Sequence, residues 1–289
     1  MHSVPLARVA GAPISWGVCE APDWGHEIVA DRVLSEMRQL GLSATELGPT
    51  GYLGDEPDQV RERLARYDMR LLGGFLPVPM HAEGLDLDEA ERAIRTLAAG
   101  GSDVVVLAAR SIDGSYDRKV ALDDAEWTTL LGNLKRLQDL VRDNGMTPTL
   151  HPHVGTAVED RPAVLRLLDS SDIALCLDTG HLAIGGTDPL ELVRSAAERI
   201  AHVHLKDVRL PVASTVRDTS YIDAVRRGLY APLGDGDLDI AAMVDALEAA
   251  GYPGWYVLEQ DAALPGEPAP GDGPARDVAR SLAFLASGP

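Results

Sequence analysis

Apolar positions along this chain follow two alternating rhythms. Short runs rich in aliphatic and β-branched residues, at 12–15, 43–47, 70–76, 103–107, 147–151, 173–177, 200–205 and 255–258, read as strands. Between them lie stretches whose apolar residues return at helical spacing: 28–40, 57–67, 87–99, 126–143, 162–168, 189–197, 240–249 and 274–286. Glycines at 41, 100–101 and 145 stand just past the ends of three of these helices, where a left-handed residue closes the last turn. The run 103–107 is apolar throughout, as in a parallel strand covered on both faces. One irregular segment, 208–237, interrupts the rhythm, with a short helical piece at 222–227.

Strand–helix alternation implies a parallel sheet with right-handed crossovers. Eight such units in 289 residues predict an α/β chain folded as a single (β/α)8 TIM barrel. An open doubly wound sheet is disfavoured because no GxGxxG follows the first strand. The proline- and glycine-rich stretch 262–273 falls between the last strand and the last helix, so it is a loop and one domain over 1–289 is expected.

Composition narrows the function classes. Hydrophobic residues make up 45% and aromatics only 4%, so the core must be aliphatic. A formal charge of −19 provides no field that favours nucleic acid or anionic lipid. Cys19 and Cys176 form neither a disulfide framework nor a CxxC metal site, which leaves buried free thiols. Residues Met1–Pro5 show no charged segment leading into an apolar run, and no window approaches the ~18 apolar residues of a membrane span. A cytoplasmic protein with no membrane partner is expected.

Barrels of this kind place their chemistry at the C-terminal ends of the strands. There the second half of the chain concentrates histidines and acids: His151 and His153, then Asp178 and His181, then His202, His204 and Lys206, then Glu259 and Asp261. Any one of these is ordinary for a barrel interior. Together, at the ends of four successive strands, they predict a site for one divalent metal ion, because imidazole and carboxylate ligands suit Mn²⁺, Co²⁺, Fe²⁺ or Zn²⁺. Alternation along a strand puts His202 and His204 on one face.

The segments Leu177-Asp178-Thr179-Gly180-His181, His202-Val203-His204-Leu205-Lys206-Asp207 and Leu258-Glu259 resemble the metal-site signature of the xylose-isomerase-like sugar isomerase/epimerase superfamily. Within it, residues 12–17, 45–49, 151–156, 223–228 and 232–236 are similar to the inosose dehydratases of inositol catabolism. The superfamily draws its ligands from strands five to eight, usually Glu, Asp, His and Glu. Asp178, His204 and Glu259 match the last three; His151 stands where many epimerases carry Glu, with His153 as the other candidate.

The resemblance implies Mn²⁺ or Co²⁺ first, with Fe²⁺, Zn²⁺ or Mg²⁺ as alternatives, and a polyol substrate: a keto-cyclitol or a ketose. The ion would act as a Lewis acid on the ketone while a base removes the adjacent proton. Glu259, His151 and His153 are candidate bases; His181, His202 and Lys206 are candidate acids for a departing hydroxyl. Dehydration of a keto-inositol is the first expectation, and isomerisation or epimerisation by the same machinery the second. Trp16, Glu46, Phe75, Arg110, His202 and Arg226 are expected to shape the substrate pocket. A repair endonuclease shares this barrel, but a three-metal site on a basic surface does not fit the charge. A sugar-binding protein without catalysis would not need the ligand set. Homo-oligomerisation is left open.

Overall fold

The computed structural model describes residues 6–287; Met1–Pro5, which carry the reading of the chain's start, lie outside the described residues. The barrel strands are β1 (Val9–Gly11), β2 (Ala44–Thr45), β3 (Arg70–Leu71 continued by Gly73–Pro77), β4 (Val104–Ala108), β5 (Thr147–Leu150), β6 (Ala174–Asp178), β7 (Ile200–Leu205) and β8 (Tyr256–Leu258). Every neighbouring pair is parallel, and β1 also pairs with β8. The sheet closes within β3. Its first piece pairs with β2 and its second with β4, and between them the Leu72 N–H donates to Thr45 while its carbonyl accepts from Val104. One extended run thus changes partner midway and shuts the barrel.

The helices are α1 (Ala30–Gln39), α2 (Pro57–Arg66), α3 (Asp88–Ala99), α4 (Asp124–Asp143), α5 (Arg161–Ser170), α6 (Thr179–Ile184), α7 (Pro189–Ala196), α8 (Tyr221–Arg226), α9 (Ile240–Ala249) and α10 (Pro274–Ser287). Their inward stripes are aliphatic at helical spacing, as in Ala90, Ile94 and Leu97 of α3. Side chains fix several of their starts, as at α4, where Asp123 accepts from the N–H groups of Ala125 and Glu126 while the Glu126 carboxylate accepts from the Asp123 N–H. None of the described helices is long and apolar enough to cross a membrane.

The expected first strand at 12–15 lies three residues early. Pro13 has no N–H for a ladder, and Pro13–Trp16 instead forms a 3-10 turn closed by left-handed Gly17. A helix that the periodicity did not suggest, α6, begins directly at the end of β6, because Asp178 itself caps it by accepting the His181 N–H at 2.7 Å.

The irregular segment after β7 is an ordered cap over the barrel mouth. Asp207–Val208 pairs antiparallel with Tyr230–Ala231. The buried Asp207 carboxylate accepts from the N–H groups of Val208, Gly234, Gly236 and Leu238, which folds the returning chain around one side chain. Trp24, Val154, Val208, Val216, Tyr221, Leu229 and Tyr230 form a small apolar core of their own between this cap and the barrel. Buried Glu159 pins the cap by pairing with Arg217, and its other oxygen accepts the Gly155 N–H at 3.0 Å.

Gly155 joins the β5 loop to this layer at φ +77°, where a Cβ would stand 2.3 Å from the Tyr116 carbonyl oxygen. Both the left-handed backbone and the backbone contact exclude a side chain. Gly155→Ala is expected to destabilise the protein by at least about 2 kcal/mol, a thermal midpoint lower by several degrees. A melting curve that superimposes on the wild type would refute this packing.

Candidate metal centre

The ends of β5, β6, β7 and β8 bring His151, Asp178, His204 and Glu259 together, each offering a ligand atom within 4.8 Å of the others. Hydrogen bonds behind each ring set its tautomer. The His151 Nδ1–H donates to the Pro152 carbonyl at 2.8 Å, leaving the Nε2 lone pair facing Asp178 Oδ2 at 3.5 Å. The His204 Nε2–H donates to Glu46 Oε1 at 2.9 Å, so its Nδ1 faces Glu259 Oε2 at 2.9 Å and Asp178 Oδ2 at 3.7 Å. That short approach to Glu259 is not aligned as a hydrogen bond. Asp178 Oδ2, His204 Nδ1 and Glu259 Oε2 are all buried and without a hydrogen-bond partner.

Three buried acceptor atoms aimed at one point are costly unless a cation lies between them. Two imidazoles and two carboxylates make a borderline donor set suited to a first-row divalent ion. The residues present therefore fit the metal that their types suggest.

Two neighbouring groups of potential ligands do not form second centres. Glu46 Oε1 already accepts from both His202, at 2.7 Å, and His204. His151, His153 and His181 converge, but the Lys206 ammonium stands 3.1 Å from His181 Nε2, and His153 spends its Nδ1 on the Val154 carbonyl. A resident ammonium leaves no room for another cation there.

Charge at the centre is set by competing burial and proximity. Burial pushes the Asp178 carboxyl up, but Lys206 at 3.4 Å, with His204 and His151, holds it well below the usual range. The Glu259 carboxyl is likewise lowered against its burial, by His204 and by Lys206 at 3.0 Å. Burial pulls His204 down, yet Cys176, Glu259, Glu46 and Asp178 keep it well above the ordinary imidazole range. Burial wins at His151, lowered to about 4, and at His153, lowered to about 3, so both are neutral at pH 7. Lys206 remains an ammonium because Asp178, Asp261 and Glu259 overcome its burial.

The remaining expected site residues divide in two. Phe75, Glu46 and Arg110 line a cavity of about 460 Å³ that opens over His151, His153, Lys206 and Glu259. Arg110 is anchored through its Nε on the Pro77 carbonyl and one Nη on that of Ser111. His181 stacks on His153 with centroids 3.7 Å apart, and His202 lies behind Glu46.

Trp16 and Arg226 are elsewhere, which corrects their expected place in the pocket. The turn made by Pro13–Trp16 buries the indole completely, and its Nε1–H donates to Glu36 at 2.8 Å. Arg226 is exposed at the end of α8, donating to the carbonyls of Asp23 and Trp24 beside its partner Asp223. Two cavity residues, Tyr116 and Tyr221, had no role in the reading of the sequence, and Asp261 was read only as one of the strand-end acids. Tyr116 comes from a loop without periodicity, and Tyr221 from the first turn of the short α8. Tyr221 donates to Asp261 Oδ2 at 2.7 Å, and Asp261 Oδ1 accepts from Lys206 at 2.6 Å. The position of Asp261, two residues beyond Glu259, was a usable signal.

Comparison with known proteins gives a consistent answer. The xylose isomerase-like TIM barrel family matches residues 34–287. An inosose dehydratase of Geobacillus thermodenitrificans (strain NG80-2) is 34% identical over 269 residues, covering 88% of this chain and 90% of its own. Among solved structures, an IOLI protein with a bound zinc atom superposes with a TM-score of 0.71 at 15% identity, over 97% of this chain and 98% of that one. An L-ribulose 3-epimerase superposes with a TM-score of 0.69 at 18% identity, over 97% and 94%. These two are likenesses of fold.

The raised His204 predicts how the centre takes up its ion. An imidazolium cannot ligate, so a divalent ion must expel that proton. Affinity should rise with pH and fall about tenfold per unit below the His204 pKa, with about one proton released per Mn²⁺ or Co²⁺ bound. Calorimetry in buffers of different ionisation enthalpy measures that proton directly. Uptake with no proton release, or undiminished in His204→Ala, would contradict this ligand set.

Proposed function

The chain belongs to the xylose isomerase-like TIM-barrel family, and from that premise we propose that it is a divalent-metal-dependent lyase removing water from a keto-inositol. The observation that carries the reading is the set of three unpartnered buried atoms on Asp178, His204 and Glu259, beside a cavity that Glu259 and Lys206 line. Similarity to the inosose dehydratase over most of both chains supports the substrate class. Mn²⁺ or Co²⁺ is the proposed ion, held by His151, Asp178, His204 and Glu259. When bound it supplies Lewis acidity, stabilising negative charge on the substrate oxygen as the adjacent C–H bond breaks.

The chain's own groups account for the proton transfers. Glu259, an ionised carboxylate lining the cavity, accepts the proton from the carbon beside the ketone. Lys206, held by Asp261 at 2.6 Å and Glu259 at 3.0 Å, donates a proton to the departing hydroxyl. The C–H electron pair becomes the new C=C bond, the C–O bond breaks, and the hydroxyl leaves as water. Asp261 and Tyr221 keep the ammonium pointed at the cavity floor. Glu46, Phe75 and Arg110 face the substrate. His181 positions Lys206 rather than donating itself, since the ammonium occupies its Nε2.

Isomerisation or epimerisation is the second reading. It would need a group that returns the proton to carbon, for which this chain offers His151 and His153. His151 would be occupied in holding the ion, which leaves His153 as the freer of the two, whereas Lys206 stands ready as an acid for elimination.

Metal-loaded protein incubated in D2O with a panel of keto-inositols and ketoses, followed by NMR, distinguishes the two. Loss of water is expected; deuterium at the α-carbon of an intact ketone or its epimer, without water loss, would establish the second. Glu259→Gln keeps one oxygen ligand but removes basicity. Its turnover and α-proton exchange are expected to fall by at least about 10²-fold while its metal content changes far less. Near wild-type exchange in a metal-replete Glu259→Gln protein would move the base to His151 or His153.

A further inference from the structure

The cavity over the metal centre has two unlike walls. Strands β5 to β8 supply the charged groups and imidazoles already described. The wall from the first half of the barrel gathers Ile14, Leu47, Phe75, Leu76, Val78 and Leu85, beside the polar groups of Glu46, Arg110 and Tyr116 and with Asp86 and Glu89 at the helix that follows. None of the apolar side chains carries a hydrogen-bonding group. Leu47, Leu76 and Leu85 pack against the main core yet keep part of their surface open to the cavity. Phe75 marks the border, its ring 6.0 Å from that of His151 and 5.7 Å from that of His153. The apolar part continues outward past Gly74 to Ala90 and Leu97 of α3, so it is a cleft with depth and not a flat patch.

A free keto-inositol carries a polar substituent on every ring carbon. Seated on the metal centre, it could pair hydroxyls with Glu46 and Arg110, but those turned toward Leu47, Leu76 and Leu85 would meet no partner, and desolvated hydroxyls without partners weaken binding. It would also leave the aliphatic surface of Leu47, Leu76 and Leu85 against water. A cavity of about 460 Å³ falls in the range that encloses drug-sized ligands rather than one small ring.

We infer that the substrate is a keto-cyclitol bearing an apolar O-linked substituent, alkyl or aryl, which occupies the Leu47–Leu76–Leu85 side of the cavity while the ketone meets the metal centre. The inference rests on the keto-cyclitol reading of that centre. Phe75 then faces the substituent where it leaves the ring, and Leu85, on the loop before α3, closes over it.

The test uses the Mn²⁺-loaded protein, a free keto-inositol and the set of its mono-O-benzyl ethers, one for each hydroxyl. Calorimetry gives Kd for each compound, and NMR follows water loss in the same samples. At least one ether is expected to bind about 10-fold or more tightly than the parent, the lower end of what a matched apolar contact contributes to discrimination. Leu85→Asn and, separately, Leu47→Gln should drive that ratio toward one, with metal content reporting that each variant is folded. Ethers that all bind no better than the parent, or no binding by any compound, would overturn the inference. If an ether binds preferentially but no compound loses water, the apolar subsite stands and the dehydratase reading falls.

Discussion

The charge balance around Lys206 is the constraint on which the barrel mouth depends. Its buried ammonium lies within 3.4 Å of Asp178, 3.0 Å of Glu259 and 2.6 Å of Asp261. Three carboxylates around one cation leave an excess of negative charge where water is scarce, and isolated buried charge is prohibitively costly. A second, divalent cation between Asp178, Glu259 and the two histidines would resolve that excess. Without it, a proton on His204 serves the same balance. The proposed metal binding and imidazole protonation would then be two settings of one electrostatic requirement.

That requirement reaches into the scaffold. Asp178 divides its two oxygens, one capping α6 and the other facing the centre, so the helix start and the ligand position are one decision. Asp261 ties the lysine to Tyr221, and Tyr221 to Tyr230, which anchors the cap between β7 and α9 to the chemistry beneath it. Asp207, next to Lys206 in sequence, turns outward to four backbone N–H groups of the same cap. Alternation along this stretch thus sends one charged residue to the site and its neighbour to the structure above it.

Much of this was legible in the sequence because it depends on local rules. Strand and helix periods gave the barrel, and strand ends gave the residues that converge. What escaped depended on longer-range geometry. Trp16 was expected in the pocket, but Pro13 breaks the strand early and the resulting turn drives the indole inward onto Glu36. Arg226 is on the cap, but α8 presents it outward to the loop at Asp23. Tyr116 arrives from a segment with no periodicity and Tyr221 from the first turn of the short α8, so only the folded chain places them. Asp261 was readable, since it continues the alternation from Glu259, but the chain beyond β8 is irregular and that alternation carried less weight.

The carboxylate of Glu46 has a consequence for how the molecule is divided. All four candidate ligand residues come from the second half of the chain, yet the His204 ring among them is turned by Glu46, just past the end of β2. A half-barrel fragment beginning at β5 would contain every ligand and still leave the His204 ring without the partner that orients it. The two halves are thus not a catalytic half and a supporting half. Recombining the second half with a foreign first half would transplant the ligands but not the preorganisation, unless the donor brought a carboxylate to the end of its own second strand.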